Sequence, residues 1–169
     1  MKSLSLIAVL TFALVSCAGY RVGAQKPPSL KNVNTVSVSV FENDTLHPRA
    51  GAMATSAVNS AFTLDGTYKL ASAGQADAVL EGTVRDIGYE RIRGRRFDTL
   101  RPEELSNNVV LAWVLRDAKD PTKILASGIS QGNSQLFVVS NLQTARQAAL
   151  PEAMERAGES LVSRLANGF

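Results

Sequence analysis

The sequence predicts an α+β fold: a two-layer sandwich in the order strand, helix, three strands, helix. Two helices pack on one face of a four-stranded, mainly antiparallel sheet. Three observations carry this expectation. Residues 35–41 alternate apolar and small polar side chains, the period of a strand with one buried face. Two segments, after Pro48 and after Asn141, repeat apolar residues at helical spacing. Between them lie three β-rich stretches with short connections, which favour a meander whose free face both helices cover.

Taken in order, Val36, Val38 and Val40 are expected to face the core. Glu42-Asn43-Asp44 turns the chain, and Pro48 can open a helix because the first helical position tolerates proline. Ala50, Met53, Ala54, Ala57, Val58, Ala61, Phe62 and Leu64 give that helix its apolar stripe, and Asp65-Gly66 ends it. Tyr68-Lys69-Leu70 reads as a short extended piece. In the second strand, 76–92, Leu80 and Val84 share one parity and Ile87 and Tyr89 the other, so a bulge is expected near Gly82 or Gly88. Residues 93–104 read as a polar, arginine-rich loop. Val109 to Leu115, apolar around Trp113, is the expected central strand, and 117–123 a tight connection. The last strand, 124–139, contains Gly128 and Gly132 and is expected to bend there. Asn141 can cap the second helix, Pro151 kinks or restarts it, and Asn167-Gly168 stops it.

The amino terminus is read separately. Met1-Lys2-Ser3 supplies a positive start, Leu4 to Val15 an apolar run too short to span a bilayer as a helix, and Leu14-Val15-Ser16-Cys17 resembles the bacterial lipobox. This divides the chain into a lipoprotein signal peptide (1–16), a lipidated amino terminus and tether (17–32) and one α+β domain (33–169). Cys17, the only cysteine, would carry covalent diacylglycerol and an N-acyl chain; each buried CH₂ contributes about 0.8 kcal/mol to anchoring. No other cofactor is expected. Lys2 is the only charged residue of the leader, so 17 basic and 15 acidic side chains remain in the mature chain, a balance that argues against general nucleic-acid binding.

The chemical motifs are few. Gly128-Ile129-Ser130-Gln131-Gly132 matches G-x-S-x-G, but the residues after it look like strand, and the single histidine, His47, precedes the serine. An esterase using Ser130 is therefore disfavoured, and no enzyme is expected. His47 lacks the companions of a metal site and reads as a residue at the start of a helix. Asp77 and Glu81 are expected on one strand face and Asp86 on the other, which forces no carboxylate pair. Arg91, Arg93, Arg95, Arg96 and Arg101 crowd the predicted loop. Their planar guanidinium forks suit phosphates of phospholipid or lipopolysaccharide, or the acidic side chains of a partner, while a merely solvated loop is the plainer reading.

Several of these phrases together resemble the lipopolysaccharide-assembly lipoprotein family, LptE. They are Cys17-Ala18-Gly19-Tyr20, the valine strand leading into Phe41-Glu42-Asn43-Asp44-Thr45, the run Ala76-Asp77-Ala78-Val79-Leu80-Glu81-Gly82, Leu115-Arg116-Asp117, Ile124-Leu125, and the closing helix with Ala157, Leu161, Val162 and Leu165. The resemblance covers nearly the whole mature chain; Pro151 and the arginine-rich segment depart from it. It implies a lipid-anchored protein on the periplasmic side of the outer membrane that occupies the lumen of an LptD-like β-barrel, helps that barrel assemble and assists lipopolysaccharide delivery. Ser37, Ser39, Thr83, Ser127, Ser130, Gln131, Asn133 and Gln135 are the expected polar face toward such a lumen. Arg93, Arg95 and Arg96 are the leading candidates for lipopolysaccharide contact, with Lys119 and Lys123 second. The rival reading is a periplasmic lipoprotein of another envelope complex, a peptidoglycan-synthase activator or a secretion-pore component.

Overall fold

The computed structural model describes residues 26–95, 98–137 and 141–168. A 3₁₀ turn at Pro28–Leu30 leads into β1 (Thr35–Val38), β2 (Glu42–Asn43), α1 (Ala50–Asp65), β3 (Lys69–Leu70), β4 (Ala78–Arg95), β5 (Asp98–Asp117), β6 (Ile124–Phe137) and α2 (Leu142–Asn167). The sheet runs β3-β1-β4-β5-β6, with β2 also paired to β4. β1 lies parallel to β3 and β4, β2 lies parallel to β4, and β4-β5-β6 form the antiparallel meander. The predicted α+β sandwich therefore holds, with the two-residue strands β2 and β3 added to the four expected.

Both helices bury against one face of this sheet. Leu80, Val84, Val109, Leu111, Trp113 and Leu115 meet Val58 and Phe62 of α1 and Met154, Leu161 and Leu165 of α2 in one core cluster. The helices end as the sequence expects. Gly66 and Gly168 sit at φ +71° and +79°, where a side chain would be strained, and return their N–H groups to Phe62 and Arg164. Asn141 caps α2, its Oδ1 accepting from the amides of Gln143 and Thr144. The helix runs through Pro151 without restarting; the proline costs the N–H that would bond the Gln147 carbonyl. Pro48 lies two residues ahead of α1 rather than at its first position.

Other differences have local causes. Val36 and Val38 turn to the core, but β1 stops at Val38, so Val40 is 77% exposed and Phe41 is buried instead. Phe41 fills the space over Gly82 and beside Gly51, where a methyl at either glycine would overlap it. The parity change in β4 is real, but it occurs at Arg85: Val84 pairs with Leu111 and Asp86 with Val110, leaving one extra residue. The same bulge returns Asp86 to the face of Glu81, against expectation, since their partners Val110 and Val114 share a parity. Gly128 and Gly132 do not break β6. They admit neighbours: a Cβ on Gly128 would come 2.7 Å from the Trp113 ring, and one on Gly132 would overlap the backbone of Ala153 and Ala157 in α2.

The segment expected to be an arginine-rich loop is mostly sheet. β4 and β5 continue past Glu104, where β6 ends opposite at Phe137, and form a two-stranded ribbon with irregular register.

Candidate functional site

The family-like phrases turn out to be joints of the fold. In Phe41-Glu42-Asn43-Asp44-Thr45, the Asn43 Oδ1 accepts from both the amide and hydroxyl of Thr45, and its Nδ2 donates to the His47 carbonyl. That carbonyl also takes the Ala50 amide, so His47 does sit at the start of α1, holding its first turn. In the second phrase, Asp77 Oδ2 accepts from the amides of Asn34 and Thr35 and from the Thr35 hydroxyl. Those bonds, the Asn34 amide first, hold its carboxyl below the usual range. Glu81 accepts from Arg116 across the sheet at 2.9 Å.

Ser130 is fully buried in mid-strand and accepts a hydrogen bond from Trp113 Nε1 at 3.1 Å. It has neither the strand-to-helix turn nor the access of a nucleophile elbow. Among the described residues no group of three potential metal ligands comes together.

The candidate basic residues fall into two groups. Arg93 and Arg95 lie on the ribbon end of β4, with Arg93 opposite Glu104 and Arg95 opposite Asp98. Arg96 and Cys17 lie outside the described residues. Lys119 and Lys123 lie in the turn between β5 and β6, at the other end of the sheet. There the Asp117 Oδ1 accepts the Lys119 amide at 3.0 Å and its Oδ2 meets Lys123 Nζ at 3.4 Å. The amide, followed by the ammonium, holds the Asp117 carboxyl below its ordinary range. From Glu104, opposite Arg93, to Asp117 at the lysine turn run 13 residue steps of β5, about 43 Å at a strand's rise per residue. They do not form one site.

The sheet face opposite the helices carries no element among the described residues. Thr83, Ser127, Gln131, Asn133 and Gln135 project there as expected, next to Val110, Ala112, Val114 and Ile129. A groove of about 730 Å³ opens on this face between Glu42, Glu81, Arg85, Val114 and Ile129. Ser37 and Ser130 do not contribute to an exposed polar face: both are buried.

One cluster has no counterpart in the sequence reading. Tyr89, Asn107 and Ser134 form a row across β4, β5 and β6 beneath the first turns of α2. The Ser134 hydroxyl donates to the Ala149 carbonyl at 2.7 Å. Arg146 lies over the Tyr89 ring, its Cζ 4.6 Å from the centroid. Both amide atoms of Asn107, the Tyr89 hydroxyl and the Arg146 Nε are buried without a protein partner. Burial raises the Tyr89 pKa and the nearby Arg146 charge opposes that rise. Asn107-Asn108 reads in sequence as an ordinary polar pair; only the strand register shows that one of the two points inward.

This architecture is that of a small α+β domain, with helices closing one sheet face and no element covering the other among the described residues. A family model for lipopolysaccharide assembly, LptE, matches residues 33–165. The chain belongs to the LptE family. No individual protein of curated function matches its sequence significantly. Solved structures show the same fold. A protein from Xanthomonas campestris aligns at 16% identity with a TM-score of 0.55, covering 86% of this chain and 91% of that one. An uncharacterised lipoprotein B from Nitrosomonas europaea aligns at 13% and 0.54, covering 88% and 90%. A hypothetical protein from Chlamydia trachomatis aligns at 9% and 0.54, covering 81% and 99%.

Proposed function

We propose that this member of the lipopolysaccharide-assembly family is an outer-membrane lipoprotein, acylated on Cys17, that lodges in the lumen of an LptD-like β-barrel and assists its assembly. Its work is binding, not catalysis. The family match over the whole folded region carries the reading. The uncovered sheet face supports it, because Thr83, Ser127, Gln131, Asn133 and Gln135 suit the polar interior of a barrel.

The tether bounds the distance from the anchor to the domain. Nine residue steps separate Cys17 from Lys26, a reach of at most about 32 Å. Lys26 donates to the Val33 carbonyl and Asn34 side chain, beside Asp77 and therefore at the Lys119–Lys123 end of the sheet. Acylation would thus keep that end within about 32 Å of the membrane surface, with the arginine ribbon at the far end of the sheet. We assign lipopolysaccharide phosphates to Arg93, Arg95 and Arg96, whose charge-assisted forks suit them, and leave Lys119 and Lys123 a secondary role near the anchor.

Affinity purification of the tagged full-length lipoprotein in mild detergent tests the first part. Stoichiometric recovery of a large β-barrel is expected; recovery of a peptidoglycan synthase or a secretion pore instead would overturn it. Changing Arg93, Arg95 and Arg96 together to Ala is expected to weaken lipopolysaccharide binding with the fold intact, and unchanged binding removes them from the account.

A further inference from the structure

We infer that the outer edge of β6 is a strand-addition site whose occupant is a second copy of this chain, joined by an antiparallel, two-fold β6 pair. An edge strand offers unpaired N–H and C=O groups, and proteins guard such edges with short strands, lysine, proline or bulges. This sheet guards one edge and not the other. β3, at the far side, is two residues long. β6 is 14 residues long, contains no charged residue and no proline, and keeps continuous register with β5 from Ala126 to Phe137. No strand among the described residues pairs with its outer edge. Ile129 is 56% exposed and Phe137 67%.

The strand's own sequence favours a copy of itself. A two-fold axis at Gln131 sets Ser127 against Gln135 of the partner copy, Ile129 against Asn133, and Gln131 against itself. Every one of these pairs is uncharged, so the like-charge penalty that usually forbids self-pairing is absent. The inference concerns copies outside a barrel and does not depend on the function proposed above.

Cys17 is the only natural cysteine and is acylated in the mature lipoprotein as proposed, so an added thiol is a clean probe. In an antiparallel pair, residues on the axis have Cα atoms about 4.5–5.5 Å apart, within disulfide range. Full-length lipoprotein in detergent carrying Gln131→Cys is expected to oxidise to a covalent dimer, while Ser56→Cys on the outer side of α1 stays uncrosslinked. Unmutated protein, weighed by light scattering with the detergent subtracted, is expected to be a dimer, and Gln131→Lys to be a monomer with unchanged circular dichroism. Unmutated protein that is monomeric at its highest soluble concentration overturns the inference. So does equal crosslinking at Ser56, or a dimer that survives Gln131→Lys. The mass measurement needs no variant and decides the matter even if the substitutions fail to fold.

Discussion

Replacing Gly132 with alanine is expected to be among the most damaging single-methyl changes in this protein. A Cβ at that position overlaps the Ala153 carbonyl oxygen and the Ala157 amide nitrogen, both backbone atoms of α2. No rotamer change relieves a clash with backbone, so the helix itself has to move off the sheet by more than 1 Å to restore an ordinary contact of about 3.4 Å, loosening Met154, Leu161 and their neighbours in a close-packed core. Overpacking costs 1–3 kcal/mol where side chains can adjust; here the upper end applies, about 3 kcal/mol, or a fall in Tm of roughly 10 °C for a domain of this size. Two internal comparisons calibrate it. Gly74 has nothing within 4 Å of a built Cβ, so Gly74→Ala should be neutral or stabilising by less than ~1 kcal/mol. A Cβ on Gly158 would come 3.1 Å from the backbone of Ala57 in α1, so Gly158→Ala should fall between, its crowding partly offset by the better helix propensity of alanine. Urea and thermal unfolding of the mature chain with Cys17→Ser, followed by circular dichroism, measures all three. A Gly132→Ala protein within ~0.5 kcal/mol of its parent would refute the reasoning, since it would mean α2 does not rest on the β6 backbone.

Four further outcomes follow from groups already described. Asn107→Leu is expected to stabilise the fold by about 1–2 kcal/mol, because it removes two buried polar atoms that have no protein partner; a loss of stability in urea would show that those atoms are paired through ordered water. Asp77 has a folded pKa below its unfolded value of about 3.9, so its contribution is present above that pH and is lost as pH falls through the folded pKa. Asp77→Asn should therefore flatten the acid limb of the stability profile, and an unchanged limb would assign it to other carboxylates. Ser130→Ala leaves the Trp113 indole N–H without its acceptor and is expected to cost about 1–3 kcal/mol. The unmutated protein should also resist a fluorophosphonate probe; labelling at Ser130 would revive the esterase.

What was legible in the sequence is what burial writes there. Leu111, Trp113 and Leu115 announce a central strand, and the stripes of α1 and α2 announce helices that share its face. The ribbon beyond Glu104 was not legible: its residues carry no apolar alternation, so the sequence reads as loop where the backbone pairs as strand. The glycines misled for a different reason. Gly82, Gly128 and Gly132 look like bends, yet each makes room for a neighbour, Phe41, Trp113 or α2, that lies 15 or more residues away in sequence. Val40 failed because period 2 persists for one turn beyond the last residue that pairs. For the candidate site, the basic residues were visible but their separation was not. Only the full length of β5 shows that Arg93 and Lys119 stand at opposite ends of the molecule.

The extra residue at Arg85 acts on β4 as a frameshift acts on a gene. Upstream of it even-numbered positions meet the helices, and downstream odd-numbered ones do. Inserting one further residue between Arg85 and Ile87 would turn Ile87 and Tyr89 out to water and bring Asp86 and Glu90 in, whereas deleting Arg85 would only remove the bulge and leave both faces as they are. Relatives of this chain should therefore change length in that stretch at the bulge itself or by compensated pairs.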